Sequence, residues 1–131
     1  MILVTGATGS IGLHLVAELV RAKVPTRALV RSPEKGAPLQ AQRLETAVGD
    51  LADPASLASA LRGVERMFLL TPAGPDQVEL ERAAIDVAAR EGVRHIVKLG
   101  ARGADPASPA RFLRSHGQVI EHLRAAGPDW T

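Results

Sequence analysis

A chain of 131 residues, 46% hydrophobic and 23% charged, has the composition of one ordinary globular domain with room for a core, which excludes a disordered segment or an array of domains. Its pI is about 9.7, yet the net charge is only +2 and the basic residues are scattered, so there is no tract suited to nucleic acid. The lack of cysteine excludes disulfides and thiolate metal sites; with no charged leader and no apolar run of membrane-spanning length, the expectation is a cytoplasmic protein with no membrane or nucleic-acid partner.

Ile2 to Val4 reads as a short buried strand, and the stretch Thr5-Gly6-Ala7-Thr8-Gly9-Ser10-Ile11-Gly12 follows it directly. Ile11, Leu15, Val16, Leu19 and Val20 then recur at helical spacing, so the glycines join a strand to a helix N-terminus. Such a junction cradles a phosphate. Unpaired amides and the positive end of the helix dipole face the anion, and a Cβ at the turn would hold the backbone away from it. Gly6 permits the turn, Gly9 lets the main chain approach a pyrophosphate, and Gly12 is expected to bring the helix close to the first strand. Thr5, Thr8 and Ser10 supply short hydroxyls for a helix cap or a phosphate oxygen. The spacing is Gly-x-x-Gly-x-x-Gly, and the flanking strand and helix give it the context a dinucleotide site requires.

Thr26 to Val30 predicts a second strand, and the polar stretch after it, with Pro33, Gly36 and Pro38, reads as a loop holding at most one helical turn. Glu45 to Val48 is a third strand. Asp53-Pro54 sets the N-cap and first position of a helix that carries Leu57 and Leu61 and ends at Gly63. Met67 to Leu70 is a fourth strand, a helix from about Gln77 to Glu91 stops at Gly92, and Arg94 to Leu99 is a fifth strand. After a loop from Gly100 to Pro109, a last helix carries Phe112, Val119, Ile120 and Leu123 and closes at Gly127-Pro128. No proline falls inside any of these elements. Strands apolar on both faces, alternating with helices, predict a single doubly wound α/β domain: a Rossmann fold whose parallel sheet has the order 3-2-1-4-5, with ligand where the order reverses.

That placement points to three further positions. A site for NAD offers an acid after the second strand to the ribose 2′-OH, but Arg31 stands there, suited to a 2′-phosphate with Ser32 and Lys35 assisting, so NADP(H) is expected over NAD(H). After the third strand, Asp50 is placed to accept from an adenine amino group while Leu51 packs on the ring. Thr71, Pro72 and Ala73, followed by Gly74, lie at the switch point, where backbone lines a nicotinamide ribose. The plainer readings are a solvated arginine, an aspartate starting a helix and a simple turn.

Val4-Thr5-Gly6-Ala7-Thr8-Gly9-x-x-Gly12, Leu29-Val30-Arg31, Gly49-Asp50-Leu51, Met67 to Pro72, Gly92 to Leu99 and Asp129-Trp130-Thr131 together resemble the NmrA-like, atypical short-chain dehydrogenase/reductase family along the whole chain. The resemblance implies an NAD(P)-binding domain, active either as an NAD(P)H-dependent reductase of quinone-type molecules or as an NADP-binding regulator that senses redox state without turnover. It also implies a sixth strand and a small C-terminal substrate lobe. Asp129-Trp130-Thr131 looks like the start of that strand, so the chain reads as truncated before both. The fifth strand would then be an exposed edge, and a homodimer is expected through it or through the helices after strands four and five.

Many short-chain dehydrogenases carry Tyr-x-x-x-Lys on the helix after strand five, the lysine lowering the tyrosine pKa for proton exchange. This chain has no tyrosine: His116 falls at the tyrosine's place, Ile120 at the lysine's and Gly100 at that of the usual serine. The remaining catalytic candidates are His116 and Lys98, whose plainer readings are a polar helix residue and a lysine snorkelling from a strand end. His14, His95 and His122 share no metal-site spacing with His116, and Asp76, Glu79, Glu81 and Asp105 read as solvated charge. The sequence supports an NADP(H)-binding domain of an oxidoreductase that passes hydride to a quinone-like small molecule, with a non-catalytic NADP-binding module as the alternative.

Overall fold

The predicted strands all form, to within two residues at their ends, in the computed structural model, which describes residues 1–131. In chain order the elements are β1 (Ile2–Val4), α1 (Ser10–Arg21), β2 (Thr26–Val30), α2 (Pro33–Gln40), β3 (Glu45–Val48), α3 (Pro54–Leu61), β4 (Arg66–Leu69), α4 (Gln77–Arg90), β5 (His95–Lys98), α5 (Arg111–Ala125) and β6 (Asp129–Trp130). The sheet is parallel throughout, in the order β3-β2-β1-β4-β5-β6. No helix is long and apolar enough to cross a membrane.

Successive strand residues point to opposite faces, and each face has its own core. Leu3, Leu29, Met67, Leu69 and Ile96 pack with Leu57 and Leu61 of α3, Ala84, Ile85 and Ala88 of α4, and Val119 and Leu123 of α5. Val4, Ala28 and Val30 pack on the other side with Val16 of α1 and Leu39 of α2. α1 and α2 therefore cover one face and α3, α4 and α5 the other, which is the doubly wound arrangement.

Four expectations are corrected. The fifth strand is not an edge: His95 and Ile96 pair with Asp129 and Trp130, the Thr131 amide donates to the Ile96 carbonyl, and the Lys98 amide donates to the Thr131 carbonyl. A pairing surface on β5 is thus taken up by the chain's own last residues. The stretch after β2 is a helix of 8 residues rather than a loop. Ser32 is its N-cap, Pro33 starts it with a preset φ, and burial of Leu39 holds it despite Pro38, whose missing amide leaves one interior bond unmade. A proline therefore does fall inside an element. The apolar stripe of α1 is narrower than its spacing suggests, since Val20 is exposed and Ile11 is turned away from the core, leaving Val16 buried with Leu15 and Leu19 beside it.

The fourth correction concerns Gly12. Its constraint lies in the preceding turn rather than in β1: a Cβ there would stand 2.1 Å from the Gly6 carbonyl oxygen and 2.8 Å from the Ala7 Cα. Both neighbours are backbone, so neither can swing aside. Gly12→Ala should therefore cost about 2 kcal/mol or more of stability, an overpacking penalty read by denaturant unfolding. An unfolding midpoint equal to that of the unmutated chain would show that the turn and α1 are not in this close contact.

Candidate functional site

β1 and β4 are neighbours, yet the chain leaves β1 toward α1 on one face and reaches α4 on the other after β4, so a crevice opens at their carboxyl ends. Thr5 holds its floor. Its buried hydroxyl donates to the Leu70 carbonyl at 2.9 Å and accepts from the Leu70 amide at 2.8 Å. That corrects the expectation that Thr5 serves a cap or a phosphate, since both bonds go to the neighbouring chain segment. Gly6 follows at φ +63, where a Cβ would also stand 2.9 Å from the Leu70 carbonyl oxygen.

The crevice is a groove of about 690 Å³, a volume usual for small-molecule and cofactor sites. Gly6, Thr8, Gly9, Ser10 and Ile11 line one part of it, Arg31 and Lys35 a second, Asp50 and Leu51 a third, and Thr71, Pro72 and Ala73 the far end. Twelve of the fourteen residues expected to hold a cofactor are thus brought together; Gly12 and Ser32 do not line the groove, Gly12 being packed on the turn and Ser32 the N-cap of α2. Gly9 is the N-cap of α1 and offers no side chain, and the amides of Ser10, Ile11 and Gly12 have no acceptor within the protein. With the helix dipole behind them, those amides suit an anion. Arg31 is exposed on the rim and pairs with no carboxylate. One Asp50 oxygen accepts from the Ala52 amide at 2.9 Å, while Asp53 caps α3 through the amides of Ala55 and Ser56.

Lys98 and His116 lie elsewhere. Both are buried behind the far end of the groove and neither lines it. The Lys98 ammonium donates to the Leu99 carbonyl at 2.5 Å, forms an ion pair with Glu81 at 3.1 Å, and lies 3.4 Å from His116 Nδ1. Two hydrogen bonds and the ion pair hold it inside the fold, so it does not snorkel to water. With Nδ1 accepting from Lys98, the His116 hydrogen sits on Nε2, and the ring is neutral. Burial pushes its pKa below the ordinary 6.5, the Lys98 charge pushes the same way, and Glu81 opposes them.

Glu81 is the residue the sequence reading missed. Far from being solvated, it is fully buried on α4; its Oε1 accepts from the Thr71 hydroxyl at 2.6 Å and faces Lys98, while Oε2 has no partner. The signal was present in the sequence, because Glu81 shares one helical face with Gln77, Ala84, Ile85 and Ala88, all buried. Asp76, also read as solvated, is exposed but belongs to the groove wall, as do Gln77 and Leu80.

A parallel sheet with a glycine turn, free amides and a groove at its switch point defines a dinucleotide-binding Rossmann domain. The chain belongs to the NAD(P)H-binding family, whose model matches residues 6–131. It is 43% identical over 131 residues to the NAD(P)H azoreductase of Xenophilus azovorans, covering all of this chain and 46% of that one. Among solved structures, the triphenylmethane reductase of Citrobacter sp. complexed with NADP(H) superposes with a TM-score of 0.90 at 29% identity, over 99% of this chain and 47% of that one. The NADPH-dependent quinone oxidoreductase of Escherichia coli complexed with NADPH gives 0.88 at 34% identity, over 99% and 47%. The chain spans just under half the length of these relatives.

The lowered His116 pKa makes stability depend on pH. As pH falls through 6.5 the unfolded chain takes up a proton that the folded chain still refuses, so His116 lowers stability from that value down to its own folded pKa. Unfolding midpoints followed from about pH 7 to 5 should fall, with a shallower slope in His116→Asn. Equal slopes in the two proteins would show that the imidazole titrates as in the unfolded chain.

Proposed function

We propose that this domain binds NADP(H) in preference to NAD(H) and is the cofactor half of an NAD(P)H-dependent oxidoreductase that reduces a quinone-like or similar small electrophile. The observation that carries the cofactor preference is Arg31, unpaired on the rim beyond β2, with Lys35 in the same stretch of wall and no acid there to meet a ribose 2′-OH. The reductase reading draws on the relatives, which are named for azo, quinone and triphenylmethane reduction.

In this reading the amides of Ser10 and Ile11 hold the pyrophosphate, Arg31 and Lys35 the 2′-phosphate, and Asp50 with Leu51 the adenine, while Thr71, Pro72 and Ala73 border the nicotinamide ribose. Reduced nicotinamide supplies the hydride when bound. The chain's contribution is orientation and a sheltered wall, because no tyrosine is present and both Lys98 and His116 stand outside the groove. That last observation favours a second reading, an NADP-binding module that senses redox state without turnover.

Calorimetry tests the preference. An arginine–phosphate contact is worth about 1.5–3 kcal/mol, so NADPH should bind roughly ten- to a hundred-and-fifty-fold more tightly than NADH, and Arg31→Ala should erase the gap. Equal affinities in the unmutated chain would sink the preference. Gly9→Val separates binding from folding: Gly9 has an ordinary φ of −81 and one neighbour, at 3.3 Å, so the side chain should weaken NADPH binding far more than it lowers the unfolding midpoint. NADPH oxidation in the presence of quinones, followed optically on the whole protein, decides between the two readings. Turnover supports the reductase, and tight binding without turnover supports the sensor.

A further inference from the structure

Thr71 has a hydroxyl whose direction is fixed from behind. It lines the far end of the groove, yet its hydrogen is donated at 2.6 Å to Glu81 Oε1. Glu81 cannot return the favour: facing the Lys98 ammonium at 3.1 Å, its carboxylate is an acceptor with no hydrogen to give. Lys98 is itself held by hydrogen bonds to Leu99 and His116 Nδ1 beside its ion pair with Glu81. Lys98 thus has hydrogens only to give, to His116 on one side and to Glu81 on the other, and Glu81 faces both Lys98 and Thr71 as an acceptor, so nothing behind Thr71 can turn its hydroxyl round. With its hydrogen committed to Glu81, the Thr71 oxygen can meet a ligand in the groove only as an acceptor. It repels a phosphate oxygen there and accepts from an N–H or O–H.

On the reading that the groove takes a nicotinamide dinucleotide, we propose that Thr71 is an acceptor for a hydrogen-bond donor of its nicotinamide–ribose half, and that Glu81 and Lys98 are positioning residues that fix this polarity. The donors available on that half are the carboxamide NH₂ and the ribose hydroxyls. The adenine and pyrophosphate half is held at the other end of the groove and is indifferent to Thr71. The same polarity helps set the ligand's direction, since phosphates offer Thr71 nothing to accept.

Two ligands on the same proteins test this. NADPH carries both halves; ADP carries adenine, its ribose and two phosphates and nothing of the nicotinamide half. By calorimetry, Thr71→Val should weaken NADPH about five- to tenfold, the worth of one such bond, and leave ADP unchanged, while Thr71→Ser restores NADPH binding. Glu81→Gln probes the same point without touching Thr71: an amide able to donate to the Thr71 oxygen frees its hydrogen to point into the groove, and NADPH should weaken again with ADP unaffected. The 3-acetylpyridine analogue of NADPH, which lacks the NH₂, identifies the donor. If Thr71→Val makes no difference to it the carboxamide is bound, and if the loss persists a ribose hydroxyl is. The proposal is overturned if NADPH binds Thr71→Val and Glu81→Gln as tightly as it binds the unmutated chain, or if NADPH and ADP weaken together. Failure of the unmutated chain to bind either ligand would instead overturn the dinucleotide reading itself.

Discussion

The groove depends on β1 and β4 staying together to their last residues while the segments that follow them part to opposite faces. Sheet pairing ends at Val4 opposite Phe68, and beyond it the Thr5 side chain takes over the role of a strand neighbour, engaging both the amide and the carbonyl of Leu70. A valine in that place would satisfy the packing and leave the half-buried amide and carbonyl of Leu70 without their partners in the fold. Gly6 then turns the chain so close to Leu70 that no Cβ fits, and α1 starts four residues later with Gly12 seated on the turn. Strand latch, turn and helix start are one rigid unit. The anion-binding amides owe their direction to it.

The three glycines of the motif consequently do different work. Gly6 and Gly12 are required by the protein's own backbone, one by a positive φ and a near contact, the other by a contact no side chain could survive. Gly9 is required by neither: its dihedrals suit any residue, and it is exposed on the groove. Its smallness serves the space in front of it, which is where a ligand would lie. A pattern that reads as three equal positions thus divides into two folding constraints and one binding constraint.

The sheet order, the two apolar faces and most of the groove were legible because they rest on short-range signals: strand runs, a glycine turn and Asp53-Pro54 at the start of α3. What was not legible came from tertiary contacts. α2 has two prolines and a glycine, poor local support for a helix, and forms because Leu39 reaches a core pocket while Gly36 allows approach to Val30 and Thr46. Asp129-Trp130-Thr131 reads as the start of a sixth strand, but that Asp129 and Trp130, both exposed, already cover β5 shows only in their pairing with His95 and Ile96. Lys98 sits in β5 between apolar neighbours, and only the fold shows that its charge is met by a carboxylate from the adjacent helix. Asp50, placed for an adenine or for a helix start, also closes a turn on Ala52, and the helix start falls to Asp53.

A buried lysine–glutamate pair is a costly way to fill space. Apolar side chains of similar volume often stabilise a fold as well or better, because taking two charges out of water consumes most of what their attraction returns. What an apolar pair could not do is orient a neighbouring hydroxyl. Behind Thr71 it would leave that group free to donate or accept, and the wall of the groove would lose its fixed polarity at the end where the ligand must be told apart from its own phosphates. The pair stands at the carboxyl ends of β4 and β5, next to the switch point, where directing one hydrogen shapes recognition and stability is supplied by the two cores beneath it.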